Sequence, residues 1–202
     1  MSATRVGLVG GGSIGTGWAI VFARAGMTVT VHEPWDERRL RIVDDVRDRV
    51  EDLAGAGLLD EPVEAVVARI AVTDDLGAAL ADAAYVQESG PEDLGLKREL
   101  LARVDALTPA GVPIGSSSSA ITASRMGEDL PGRARVLVVH PANPPYLLPV
   151  AEVVPAPFTA EDAVDRAFVV LRLAGMLPVR VRREVEGFVY NRLQGAVLRE
   201  AY

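Results

Sequence analysis

The sequence predicts an α/β fold, a doubly wound and mostly parallel sheet covered by helices on both faces. Three observations carry this expectation. Short β-branched runs alternate along the chain with longer helix-like segments. The first run leads directly into a glycine turn that opens a helix. Hydrophobic residues make up 49% of the 202, enough for one large core, or for one domain and the beginning of a second.

The elements follow in order. TRVGLVG (4–10) is a strand and 13–25 a helix; TVTVHE (28–33) is a strand and 35–54 a helix. RIAVT (69–73) precedes a helix over 74–82, and AAYVQES (83–89) one over 92–107. Strands are then expected at VPIGSS (112–117), RARVLVVH (133–140) and PVAEVV (149–154), a helix around 160–174, and a strand at LPVRVR (177–182). GFVYNRLQGAVLREAY (187–202) carries apolar residues at 189, 193, 197 and 198, the spacing of an amphipathic helix. That pattern still runs at Tyr202 without a glycine, asparagine or proline stop signal. Residues 1–184 are therefore expected to form one domain and 185–202 to begin a truncated all-helical second one, against which Phe188, Val189, Leu193 and Val197 would pack. No internal repeat interrupts this order.

Composition narrows the function. With no cysteine there is no disulfide and no thiolate chemistry, and two separated histidines make a metal centre unexpected. A formal net charge of −7 opposes nucleic-acid binding. MSATRVGLVGGG carries no export leader, and no apolar run approaches the ~20 residues of a membrane span. The expectation is a cytoplasmic protein that touches neither membrane nor nucleic acid and acts on small molecules.

Gly10-x-Gly12-x-x-Gly15 stands between the first strand and the first helix, the context that a dinucleotide-binding turn of the Rossmann type requires. Gly10 permits the sharp turn, Gly12 the approach of a pyrophosphate, and Gly15 close helix–strand packing; Ser13 and Ile14 complete the helix N-terminus that faces the phosphates. Glu33 ends the second strand, where a carboxylate can accept both hydroxyls of the adenosine ribose. The residues immediately after it are Pro34, Trp35 and Asp36, with no cation for a 2′-phosphate, so NAD is preferred to NADP.

An NAD site gives meaning to HPANPPYLLPVAEVV (140–154). A proline-dense hairpin there sets His140 opposite Glu152. Imidazole suits removal of a hydroxyl proton as hydride leaves, and a carboxylate on its other nitrogen fixes the tautomer and stabilises the imidazolium.

Taken with GLVGGGSIGTGWA, VQESGPEDLGLKREL, GSSSSAIT, HPANPPYLLPVAEVVPAP and GFVYNRLQ, the whole chain resembles the 3-hydroxyacyl-CoA dehydrogenase family, most closely its L-gulonate 3-dehydrogenase and lambda-crystallin branch. The resemblance implies that His140 and Glu152 are the base and its acid, and that Asn191 hydrogen-bonds the reacting oxygen. The family serine falls on Ser119 when counted back from His140, or on Ser117 when aligned on the downstream Ile121–Thr122. Glu92 and Lys97 occupy the cofactor loop, with Lys97 able to reach a nicotinamide ribose hydroxyl. A homodimer through the helical C-terminal domain is also implied.

The resemblance leaves the substrate among several members. Residues 50–68 hold Glu51, Asp52, Asp60, Glu61 and Glu64 with no Lys or Arg, which opposes the phosphates of coenzyme A. HPANPPY replaces the HFFNP-like form of the acyl-CoA members. Both favour a small free hydroxy acid, L-gulonate first and L-carnitine close behind. A short-chain 3-hydroxyacyl-CoA is the alternative substrate, and recruitment as a crystallin-like structural protein the alternative role.

Overall fold

The computed structural model describes residues 3–202. The elements run β1 (Arg5–Val9), α1 (Ser13–Arg24), β2 (Thr28–His32), α2 (Asp36–Arg39), α3 (Ile42–Gly55), α4 (Val63–Val67), β3 (Ile70–Thr73), α5 (Leu76–Leu80) and β4 (Tyr85–Glu88). They continue with α6 (Leu94–Leu107), β5 (Ile114–Ser116), α7 (Ala123–Gly127), β6 (Val136–Pro141), β7 (Val150–Pro155), α8 (Glu161–Leu173), β8 (Leu177–Arg180) and α9 (Tyr190–Ala201).

The strands form one eight-stranded sheet in the order β3-β2-β1-β4-β5-β6-β7-β8. From β3 to β6 every neighbouring pair is parallel. β7 returns antiparallel to β6, and β8 lies parallel to β7. Alternate strand residues enter opposite core layers, as a period of two demands. Leu137 and Val139 pack with Trp18, Phe22 and Leu171 on one face, whereas Val136 and Val138 pack with Leu80, Leu101 and Met126 on the other.

Three expectations change in detail. The helix foreseen over 35–54 is broken at Leu40–Arg41 into α2 and α3. Leu40 stays in solvent while Ile42 is fully buried beneath Gly11, where a side chain would overlap it. α4 and α7, five residues each, were not foreseen, being too short to show a helical period. α5 is shorter than 74–82, starting where Asp75 accepts from the Ala78 amide at 3.1 Å.

The last helix starts at Tyr190 instead of Gly187. Gly187 (φ 71°) and Phe188 (φ 48°) are both left-handed, a turn that re-aims the chain before α9. Phe188 does not await a second domain: it is fully buried with Leu101, Val138 and Val154 in this one. Burial of that ring offsets the strain of its backbone. Val189, which precedes α9, and Leu193 and Val197 on it are exposed.

Candidate active site

In a doubly wound sheet the ligand crevice lies outside the carboxyl ends of the strands, where strand order reverses; here that point is between β1 and β4. Gly10 leaves β1 at φ 100°, and a Cβ there would lie 2.7 Å from the Ser89 carbonyl oxygen. At Gly15 a Cβ would overlap the Gly10 carbonyl oxygen, so turn and helix touch backbone to backbone. At Gly12 a Cβ would meet nothing within 4 Å. That open space fronts the first turn of α1, which holds no acidic residue and no side-chain cap. The amides of Ser13, Ile14 and Gly15 therefore remain available to an anion, the fit a pyrophosphate needs.

Glu33 is buried behind this turn, its Oε2 accepting from the Gly11 amide at 2.8 Å and its Oε1 from the Trp35 amide at 3.2 Å. A cavity of about 370 Å³ opens there, lined by Gly10, Gly12, His32, Glu33, Trp35 and Arg103. Absence of a cation next to Glu33 in the sequence is only a local fact. In the fold, Arg38 Nε donates to the Gly11 carbonyl at 2.7 Å and Arg39 donates to the Glu33 carbonyl at 3.1 Å. Asp45 pairs with Arg38, and Asp36 with Arg39, at 2.5 Å each. His32 is buried, and among the described residues its Nδ1 has no hydrogen-bond partner; burial, then Arg103, holds its pKa below the usual value. A larger cavity of about 670 Å³, between Ala102 and Ala160, holds none of the predicted site residues.

Across the crevice the antiparallel register sets His140 directly opposite Glu152. Opposed residues point to one face of a sheet, and His140 Nδ1 lies 2.9 Å from Glu152 Oε2, both residues buried. The second carboxylate oxygen accepts from the Val189 and Tyr190 amides at 2.8 and 2.9 Å, so the left-handed turn at 187–188 clamps the acid from behind. Phe188 and Tyr190 flank the imidazole at 5.5 and 6.4 Å. An ionised carboxylate only accepts, which puts the proton on Nδ1 and leaves Nε2 with a lone pair.

Asn191 follows directly, and its Nδ2 donates to the Ser119 carbonyl at 3.0 Å. These two predicted residues are thus brought together. Glu92 holds the same turn: its Oε1 accepts from the Ser118 hydroxyl at 2.6 Å and from the Ser119 and Ala120 amides at 2.9 and 3.1 Å. Burial works to raise the Glu92 carboxyl, but the Ser118 hydroxyl, the Lys97 ammonium and those two amides together keep it below the usual carboxylate range.

Lys97 is not an exposed cation. It is 1% exposed, its ammonium donating to both Glu88 oxygens at 2.9 and 3.0 Å and to the Gly90 carbonyl at 3.3 Å. With three hydrogens so used, Lys97 secures the loop after β4 instead of reaching outward to a ribose. Its partner Glu88, which also accepts from Ser116 Oγ and the Gly90 amide, was missed by sequence reasoning. The signal available was its position, the last residue of the strand at the switch point. Ser117, half-buried like Ser119, spends its hydroxyl on Trp18, Gln87 and Ser89, whereas the Ser119 hydroxyl has one long contact, 3.5 Å to Glu92 Oε1.

The acidic stretch is also altered by folding. Arg69 meets Glu61 through two bonds of 2.7 Å, and Arg47 pairs with Glu64. Its repulsion of phosphates is therefore weaker than the local residue count suggests. Among the described residues no helix is long and apolar enough to cross a membrane.

Comparison with known proteins shows the family and the fold. A family model described as the NAD binding domain of 3-hydroxyacyl-CoA dehydrogenase matches residues 5–185. An L-carnitine dehydrogenase of Streptomyces griseus is 44% identical over 197 residues, covering 98% of this chain and 58% of that protein. A lambda-crystallin homolog of Bos taurus is 39% identical over 199 residues, covering 98% and 62%. The crystal structure of FadB2 of M. tuberculosis superimposes with a TM-score of 0.92 at 31% identity, covering 100% of this chain and 71% of the other. The chain spans about three fifths of the length of these curated relatives.

Proposed function

The chain belongs to the 3-hydroxyacyl-CoA dehydrogenase family, whose NAD-binding domain it forms, and from that premise we propose that the protein oxidises the 3-hydroxyl of a small hydroxy acid. The observation that carries the proposal is the His140–Glu152 pair, 2.9 Å apart across the crevice from the glycine turn. NAD, when bound, supplies the hydride acceptor. His140 Nε2 takes the hydroxyl proton, and Glu152, clamped by two amides, keeps Nδ1 protonated and stabilises the imidazolium. Asn191 retains one amide hydrogen, and the Ser119 hydroxyl, whose bond to Glu92 Oε1 is long at 3.5 Å, turns to hold the substrate oxygen. Ser13, Ile14 and the three motif glycines hold the pyrophosphate, and Glu33 the adenosine ribose. The pairing of histidine and acid favours an enzyme over a purely structural protein, since packing alone requires neither.

Residues 1–184 form the NAD-binding unit in this proposal, and 185–202 begin the helical one through which the protein dimerises. Support comes from the apolar face of α9, where Leu193 and Val197 are exposed.

The cofactor part is tested on the chain itself. NAD is expected to bind roughly tenfold or more tightly than NADP, because the Glu33 carboxylate repels a 2′-phosphate. Glu33→Ala should narrow that gap. Equal calorimetric affinities in the unmodified chain would remove Glu33 from the ribose, with Arg38 and Arg39 then the groups to examine.

For the substrate, the Streptomyces relative's name sets L-carnitine beside L-gulonate as the acids to try first. A panel of these two, L-3-hydroxybutyrate and 3-hydroxybutyryl-CoA, assayed by NADH formation in the intact protein, should rank a free acid first by kcat/KM. If the thioester wins by more than about tenfold, roughly 1.4 kcal/mol, the free-acid proposal fails and a short-chain 3-hydroxyacyl-CoA takes its place.

A further inference from the structure

Ser89 and Ser117, just beyond β4 and β5, share a hydrogen bond of 2.9 Å whose direction is decided by their neighbours. The Val139 carbonyl can only accept, so the end of the Gln87 amide that faces it at 3.2 Å is the nitrogen. Consistently, the buried Tyr85 hydroxyl donates to Gln87 Oε1 on the other side. The second hydrogen of that nitrogen goes to Ser117 Oγ at 2.7 Å. Trp18 Nε1, a donor only, reaches the same oxygen at 3.1 Å. Both lone pairs of Ser117 are then occupied, and its single hydrogen must pass to Ser89.

Ser89 Oγ therefore accepts, and its own hydrogen is left over. Among the described residues this oxygen has no other hydrogen-bond partner. Ser89 is half-buried, lines the cavity shared by Gly10, Gly12 and Glu33, and lies with its Cβ 3.7 Å from where a Gly15 side chain would begin. Its neighbours are thus the first turn of α1 and the point where strand order reverses.

We propose that Ser89 is a cofactor-binding residue whose hydroxyl donates to an acceptor oxygen in the ADP-ribose part of NAD. Ser117, held by Gln87 and Trp18, is the positioning residue that turns it outward. The proposal rests on the assignment of NAD to this crevice. It also gives Ser117 a role distinct from that of Ser119, with a hydroxyl saturated inside the protein and none to spare for a substrate.

Calorimetric titration of the chain with NAD, ADP-ribose and ADP tests it, with thermal unfolding as the check that each variant is folded. Ser89→Ala should weaken NAD and ADP-ribose by about 2- to 150-fold, the span for one hydrogen bond to a neutral or charged acceptor. ADP weakened alongside them would place the acceptor on the phosphates, and ADP unchanged would place it on the second ribose; either result supports the proposal. Ser117→Ala should weaken NAD less, and its effect should vanish in the Ser89→Ala background. Unchanged affinity of Ser89→Ala for NAD and ADP-ribose overturns the contact. An equal Ser117→Ala effect with and without Ser89 overturns the positioning role. Failure of the unmodified chain to bind any of the three ligands would instead overturn the NAD assignment itself.

Discussion

Replacing His140 by alanine lowers turnover of the intact protein by roughly 10²- to 10⁴-fold, the span of general-base catalysis, and leaves NAD binding nearly unchanged. The rate falls because the lone pair that takes the proton is lost with Nε2, the one ring nitrogen not committed to Glu152. NAD affinity is spared because the imidazole lies on β6, away from the turn after β1. Glu152→Gln should also lower the rate, for a different reason. The carboxylate accepts from Nδ1 on one oxygen and from the Val189 and Tyr190 amides on the other. A glutamine has one acceptor end. Turned toward the amides, it presents NH₂ to Nδ1 and drives the imidazole proton onto Nε2, the tautomer that cannot take a proton there. Steady-state kinetics with NAD titrations decide the matter. An undiminished rate for His140→Ala would mean that the proton leaves by another route.

Glu88→Ala should destabilise the fold by about 3–5 kcal/mol, the usual consequence of leaving a buried charge without its hydrogen-bonded partner, since Glu92 stands 3.6 Å from the ammonium, beyond bonding distance. Lys97 is 1% exposed and Glu88 fully buried, so water cannot replace the lost carboxylate. The Ser116 hydroxyl and the Gly90 amide lose their acceptor in the same stroke. Removing both charges, as Glu88→Leu with Lys97→Met, should recover part of the loss, since no naked ion remains. Recovery is incomplete because those two donors stay unsatisfied, at about 1–3 kcal/mol each. Urea unfolding of the three proteins measures both effects. If Glu88→Ala unfolds at the unmodified midpoint, the pair carries no weight in the fold, and its part in holding the loop after β4 must be abandoned.

Both predictions join residues that the sequence treats differently. His140 and Glu152 were legible in advance because a tight hairpin converts a separation of twelve residues into direct opposition, and because a lone histidine facing a lone acid across it has few other uses. Glu88 and Lys97 were not legible as a pair. The resemblance sends Lys97 outward to a cofactor ribose, and only the packing of α6 on the sheet turns it inward to a carboxylate at the end of β4. Arg38 and Arg39 escaped notice likewise, since only the fold brings Arg38 to the Gly11 carbonyl, 27 residues away, and Arg39 to that of Glu33.

What the sequence determined by itself is whatever depends on near neighbours. Alternation of apolar residues at periods of two and 3.6 marks strands and helices through local sterics. The glycine spacing marks the turn after β1 because only that backbone tolerates φ 100° at Gly10 and the contact at Gly15. The tertiary structure alone decided which groups meet over long separations. Phe188 fills this domain's own core, Ser117 rather than Ser119 is bonded inward, and Arg47 and Arg69 neutralise part of the acidic stretch. Such partners are chosen when sheet and helices close on a shared interior, where a charge or hydroxyl cut off from water must take whatever complementary group packing brings within reach.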